Sequence, residues 1–319
     1  MPKLCGVEFA PFQLPLERRL QTLAVTLHMC FFLVFPIIVL MCSPILLFTP
    51  LAPIPLAYFL WLFWWDRQTP ERGGRWSDFL RQLKFWHYVR DYFPISLVKT
   101  AELTADRNYI FGVHPHGILS FGASNSFCTE AGGFSKLFPG ITPHLITLRL
   151  WFFYPILREY FLLGGACASS HKSIDYLLSN RATRGSESKS GVHAINSSTG
   201  SGSTAVSERE TQHTENLHYR NNGTFLSKAR VKGNKCAVIL IIGGAEEAFD
   251  ARPGSYRLTL RNRKGFVRKA LQHGADLVPV FSFGENELYR QFPNDFGRFV
   301  ILRFSTTGIT IPVISKVIK

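Results

Sequence analysis

The sequence predicts an α/β domain with a mostly parallel sheet and flanking helices, entered through an N-terminal hairpin of membrane type. Three observations carry this. From Leu20 to Trp65 there is no Asp, Glu, Lys or Arg, a stretch of 46 residues, where one bilayer crossing takes about 20. Beyond it, apolar runs such as Tyr109–Val113 and Cys236–Ile242 have the length and β-branched content of buried strands. These runs alternate with loop and helix patterns, the order expected of parallel α/β units.

Composition narrows the class further. The 319 residues are 46% hydrophobic and only 18% charged, yet carry a formal charge of +14. A basic chain so rich in apolar residues suits an anionic membrane face or an anionic cofactor such as coenzyme A. Nucleic acid, the other usual partner of excess base, is disfavoured by the long apolar segments. The six cysteines form no CxxC pair and no regular spacing, so they read as reduced packing residues rather than a disulfide framework or a zinc ribbon.

In chain order, residues 1–19 form a polar lead on the cytosolic side, and 20–65 the hairpin. Pro44, Pro50, Pro53 and Pro55 break a single long helix near its middle, giving one arm over Thr22–Leu47 and a second over Pro55–Trp65. The second arm is short for a full crossing, so re-entry is as good a reading as two spans. Basic residues on both flanks put both ends in the cytosol. Residues 66–107 then read as an amphipathic interfacial segment, with Trp76, Phe79, Leu83 and Trp86 at helical spacing. The α/β domain is expected over 108–292, interrupted at about 181–235 by a polar stretch too poor in apolar residues to order itself. Two glycosylation acceptor patterns, at Asn196 and Asn222, fall in that insertion and would matter only in a lumen. After about Phe292 the pattern fades, and 293–319 reads as atypical and truncated.

Candidate chemistry gathers at strand ends, where open α/β sheets place ligands. The apolar run ending at Val113 delivers His114-Pro115-His116-Gly117. Proline stiffens this turn, and glycine lets a substrate or another backbone approach. One of the two histidines is suited to take a proton from an alcohol. The competing readings are a hydrogen-bonded structural histidine, and a His-x-His metal site completed by His144 or His171. Cys236–Ile242 runs into Gly243-Gly244-Ala245-Glu246-Glu247, whose acids also suit a helix N-terminus. Backbone N–H groups at 243–245 are candidates to receive an oxyanion. The basic segment with Arg261, Arg263, Lys264 and Arg268 follows, and taken alone reads as a solvated charge run.

HPHG, DYFP (91–94), GGAEEAFDARPGS (243–255) and RNRKGFVRKALQHGADLVPVFSFGE (261–285) resemble the type 2 diacylglycerol acyltransferase family. Within it VEFAP, ERRLQTLAV and DYFPISLVKTAEL are most similar to the monoacylglycerol acyltransferases. The resemblance implies a glycerolipid-acyltransferase-like fold in the endoplasmic reticulum membrane, with its catalytic part facing the cytosol. It implies acyl transfer from acyl-CoA, as co-substrate, to 2-monoacylglycerol, with diacylglycerol or a wax alcohol as alternative acceptors and a catalytically silent lipid-binding variant as the rival. His116 is then the base, His114 its neighbour and Glu247 the orienting acid, with Glu130 in reserve. Gly243, Gly244, Arg261, Arg263, Lys264 and Arg268 become candidates for binding acyl-CoA. No metal or other cofactor is implied. Membrane lipid is the expected partner, with self-association or pairing with related acyltransferases also open.

Overall fold

The computed structural model describes residues 14–179 and 235–289, and the backbone of a small antiparallel pair, β1 (Lys3–Leu4) with β2 (Val7–Glu8). Five further strands, β3 (Tyr109–His114), β4 (Ile141–Thr147), β5 (Cys167–Ala168), β6 (Lys235–Ile241) and β7 (Asp276–Phe281), form one sheet in the order β5-β4-β6-β3-β7. Every pairing in it is parallel, so all five strands end at one edge. Helices form over Phe121–Cys128, His171–Leu178 and Gly265–His273. The insertion at 181–235 and the end at 293–319 lie outside the described residues, apart from Lys235, which begins β6.

Strand alternation makes two cores. Tyr109, Phe111 and Val113 of β3 join Leu145, Ile239 and the phenylalanines at 127, 134 and 138 on one face of the sheet. Ile110, Ile146 and Val238 pack with Cys167, Leu177 and Ala270 on the other. All these residues are at most 9% exposed, which explains why the strands read as near-continuous apolar runs.

The N-terminal segment is a helix over Leu16–Leu46, 31 residues long and apolar enough to cross a bilayer. It begins inside the stretch read as a polar lead, and Pro44 sits within its last turn rather than breaking it. At Cys30–Val34 it widens into a π turn. Pro36 cannot donate to the carbonyl four residues back, which accounts for the local change of hydrogen bonding. The first half of the helix docks on the helix Lys84–Tyr92, where Ala24, Val25 and Met29 meet Val89, Phe93 and Trp86. Past the π turn, Ile37, Leu40, Met41 and Ile45 are exposed. The second arm, Pro53–Trp65, is a short helix that also ends in a π turn.

The segment after these helices differs from expectation. Trp76, Phe79, Leu83 and Trp86 do not share one surface helix: only Phe79 and Trp86 are helical, in two short helices, Asp78–Arg81 and Lys84–Tyr92. Phe79 is exposed, whereas Trp86 turns inward. The Arg81 guanidinium is buried, donating to the Phe127 and Gly164 carbonyls (2.9 and 2.6 Å) and pairing with Glu130 at 2.9 Å. Arg75 and Arg158 pair with Asp66 and Glu159. These cations hold the segment to the domain, which residue spacing cannot reveal.

Candidate active site

The carboxyl edge of the sheet brings the two sequence motifs together. β3 ends at His114, and β6, its neighbour, ends at Ile241, just before the Gly243-Gly244 turn. The helix Gly244–Asp250 presents Glu247, which is only 1% exposed. Its carboxylate lies 3.1 and 3.2 Å from Nδ1 of His114 and accepts from the His116 N–H at 2.7 Å and the Thr259 N–H at 2.9 Å. Burial by itself would raise this carboxyl, but the bonds from His114 and the two backbone donors hold it below the usual range. A Cβ on Gly243 would stand 2.2 Å from Oε2 of Glu247, so only glycine leaves room for the carboxylate to fold back.

Glu247 was expected to hold the ring of His116. It holds the ring of His114 and reaches His116 through the backbone N–H alone. The His116 ring is fixed differently, its Nδ1 lying 2.9 Å from the Gly117 carbonyl and 3.3 Å from Oγ of Ser120. A carbonyl can only accept, so Nδ1 carries the hydrogen and Nε2 keeps its lone pair. Burial pushes the His116 imidazole below its ordinary value, partly offset by Gly117 and Glu247. A neutral ring at neutral pH follows. His114 presents the complementary case: its Nδ1 faces the carboxylate, and its buried Nε2 has no partner among the described residues.

Two neighbours of the turn were not singled out from the sequence. Glu285, after β7, is 5% exposed and accepts from the N–H groups of Phe121 (2.7 Å) and Gly122 (2.9 Å) and from Ser282 Oγ (3.1 Å). Burial, outweighing these donors, pushes it up to about 7. It packs against Gly117, where φ is +60° and a Cβ would come within 2.5 Å of the Glu285 side chain. Ser120 takes a left-handed backbone (φ 52°) and donates to the His116 carbonyl at 2.7 Å. A non-glycine residue in this region costs on the order of 1–2 kcal/mol, and such strain concentrates at functional sites. The acid of the FGE stretch was the only available sequence signal, and its burial depends on the fold.

A cavity of about 360 Å³ opens onto the turn. His116, Ser120 and Phe121 line it together with Gly244, Ala245 and Phe249 of the helix Gly244–Asp250. Its far wall is largely apolar and includes Met29 and Phe32 of the N-terminal helix. Arg261, Arg263, Lys264 and Arg268 are exposed and line none of it. Arg263 is tied back to Glu246 of the glycine turn at 2.7 Å, so the basic segment lies beside the site. Glu130 pairs with Arg81, away from both histidines. His144 bonds the Gly165 carbonyl at 2.9 Å, and among the described residues no three His, Cys, Asp or Glu side chains gather as a metal would need.

The family model described as diacylglycerol acyltransferase matches residues 44–189 and 218–314. Acyl-CoA wax alcohol acyltransferase 1 of Mus musculus is 46% identical over 246 residues, 77% of this chain and 59% of its own. 2-Acylglycerol O-acyltransferase 1 of Bos taurus is 40% identical over 294 residues, 92% of this chain and 72% of its own. Diacylglycerol O-acyltransferase 2 of Homo sapiens is 42% identical over 294 residues, 90% of this chain and 62% of its own. The chain thus spans roughly three-fifths to seven-tenths of the length of these relatives. No solved structure matches.

Proposed function

Since this chain belongs to the diacylglycerol acyltransferase family, we propose that it transfers a fatty acyl group from acyl-CoA to the free hydroxyl of 2-monoacylglycerol, forming diacylglycerol, with His116 as general base. One observation carries the reading: an imidazole with its Nδ1 hydrogen engaged by Gly117 lines a mostly apolar cavity that reaches a membrane-type helix. Nε2 takes the proton as the acceptor oxygen bonds to the thioester carbonyl carbon. The carbonyl electron pair moves onto oxygen, toward the backbone N–H groups of the glycine turn. When the carbonyl re-forms, the C–S bond breaks and the coenzyme A sulfur leaves with the electron pair, receiving the proton from the imidazolium. Glu247 keeps the turn in place through the His116 N–H and the His114 ring. The exposed basic residues Arg261, Lys264 and Arg268, in the segment that Arg263 ties to Glu246, are the candidates for the coenzyme A phosphates, with Gly243 and Gly244 lending backbone room. The apolar walls suit the acyl chain, and the exposed apolar half of Leu16–Leu46 suits insertion in the endoplasmic reticulum membrane, with the domain in the cytosol.

A second reading has its own observation. His114 Nδ1 faces a carboxylate and its Nε2 has no partner among the described residues, the arrangement of a base oriented by an acid. Membranes containing this chain, given labelled acyl-CoA and 2-monoacylglycerol, separate the two. Loss of about 10²-fold or more in kcat on His116→Ala, with a smaller loss on His114→Ala, supports the first assignment; the reverse order supports the second. No diacylglycerol from the unaltered chain overturns both.

A further inference from the structure

One wall of the cavity is not apolar. Around Trp86 three polar side chains meet from three elements. His28 comes from the N-terminal helix, Asn125 from Phe121–Cys128 and Tyr160 from Leu157–Leu163, and all three line the cavity. The His28 and Tyr160 rings lie 5.7 and 6.0 Å from that of Trp86, with Nδ1 of His28 3.3 Å from the Tyr160 hydroxyl. Asn125 donates its amide to the Trp86 carbonyl at 3.4 Å, which fixes the amide's orientation. Its Oδ1 is therefore the free end, and it has no partner among the described residues although Asn125 is only 3% exposed. The cluster lies near the catalytic turn: the His28 ring is 5.7 Å from that of Phe121, the residue after Ser120.

A buried acceptor left unpaired is destabilising, so a polar ligand is the physical explanation for keeping it. The His28–Tyr160 pair shares one hydrogen and has a second left over. If the phenol donates to Nδ1, the ring's Nε2–H remains; if Nδ1–H donates, the phenol hydrogen remains. The wall thus offers one acceptor and one donor within an apolar cavity. A hydroxyl group, itself one donor and one acceptor, is the complement of that pair. The reacting hydroxyl belongs at His116, so the group read here is another one.

We propose that His28, Asn125 and Tyr160 form a subsite for the second, non-reacting hydroxyl of the acceptor, selecting monoacylglycerols over alcohols with a single hydroxyl. This deepens the acyltransferase reading and rests on it. A fatty alcohol or diacylglycerol has no hydroxyl left for the subsite and would leave Asn125 Oδ1 unpaired. Sites built to hydrogen-bond a hydroxyl discriminate strongly against analogues that lack it.

The test compares kcat/KM for 2-monoacylglycerol, for the 2-acyl ester of propane-1,2-diol, which lacks the second hydroxyl, and for a primary alcohol of matched chain length. The unaltered chain is expected to prefer the monoacylglycerol to both by about tenfold or more. Asn125→Leu and Tyr160→Phe should each reduce that ratio by about tenfold. Equal kcat/KM for the three acceptors in the unaltered chain overturns the subsite without any variant having to fold. So does a ratio unmoved by both substitutions. If none of the acceptors is acylated, the acyltransferase reading itself fails. Photolabelling with a diazirine-bearing 2-monoacylglycerol then decides the subsite: competition by unlabelled monoacylglycerol but not by the propanediol ester supports it, and equal competition overturns it.

Discussion

Glu247 and Glu285 close on the histidine turn from two sides and have opposite electrostatic characters. Glu247 is compensated by a ring and two backbone N–H groups, and stays ionised. Glu285 has comparable donors but is raised to about 7 by burial. A carboxyl near 4.5 in the unfolded chain and about 7 in the folded one binds its proton more tightly when folded. Its contribution is therefore fully present below 4.5 and is lost as pH rises toward 7. Shifts of this size amount to about 3 kcal/mol. Glu285→Gln should flatten the fall in thermal stability between pH 4.5 and 7, measured in detergent by unfolding at a series of pH values. A dependence as steep as in the unaltered chain would show that Glu285 is not the titrating group.

At the scale of elements, the docking of the N-terminal helix decides whether the cavity has a far wall. Ala24, 4% exposed, is the buried residue of that helix in the cluster containing Val89 and Phe93. Small size is what permits that burial. Ala24→Phe should force the helices apart at a cost of about 1–3 kcal/mol, seen as a lower unfolding temperature. Because His28 lies one turn further along the same helix, the substitution should also reduce acylation of monoacylglycerol. The long apolar N-terminal helix was legible from the absence of charge over Leu20–Trp65, and the parallel strands from their apolar runs. The two short helices after it were not legible, because Arg75, Arg81 and Arg158 are held by partners distant in sequence. Local periodicity gives no information on such pairs.

At the scale of the molecule, a chain of formal charge +14 that takes its acyl group from anionic acyl-CoA, as proposed, should show it in the salt dependence. Raising ionic strength from about 0.05 to 0.2 M shortens screening to below about 10 Å, and KM for acyl-CoA should rise several-fold. Replacing Arg261 and Arg268 by Glu should raise KM at low salt and weaken its further dependence on salt, measured by titrating acyl-CoA at fixed acceptor. An unchanged KM would return the basic segment to the role of a solvated charge run.

Composition and spacing alone determined that this chain has a long apolar N-terminal helix, a parallel α/β sheet, and histidines and acids at the ends of its strands. Those features are local, set by the period of apolar residues and by the missing charges. Which histidine ring Glu247 touches, that Glu285 backs the turn, and that His28, Asn125 and Tyr160 share one cavity wall were decided only by tertiary structure. The side chains in these contacts come together from positions as far apart as 35 to 164 residues, and hydrogen bonding and burial act on distance in space rather than on order in the chain.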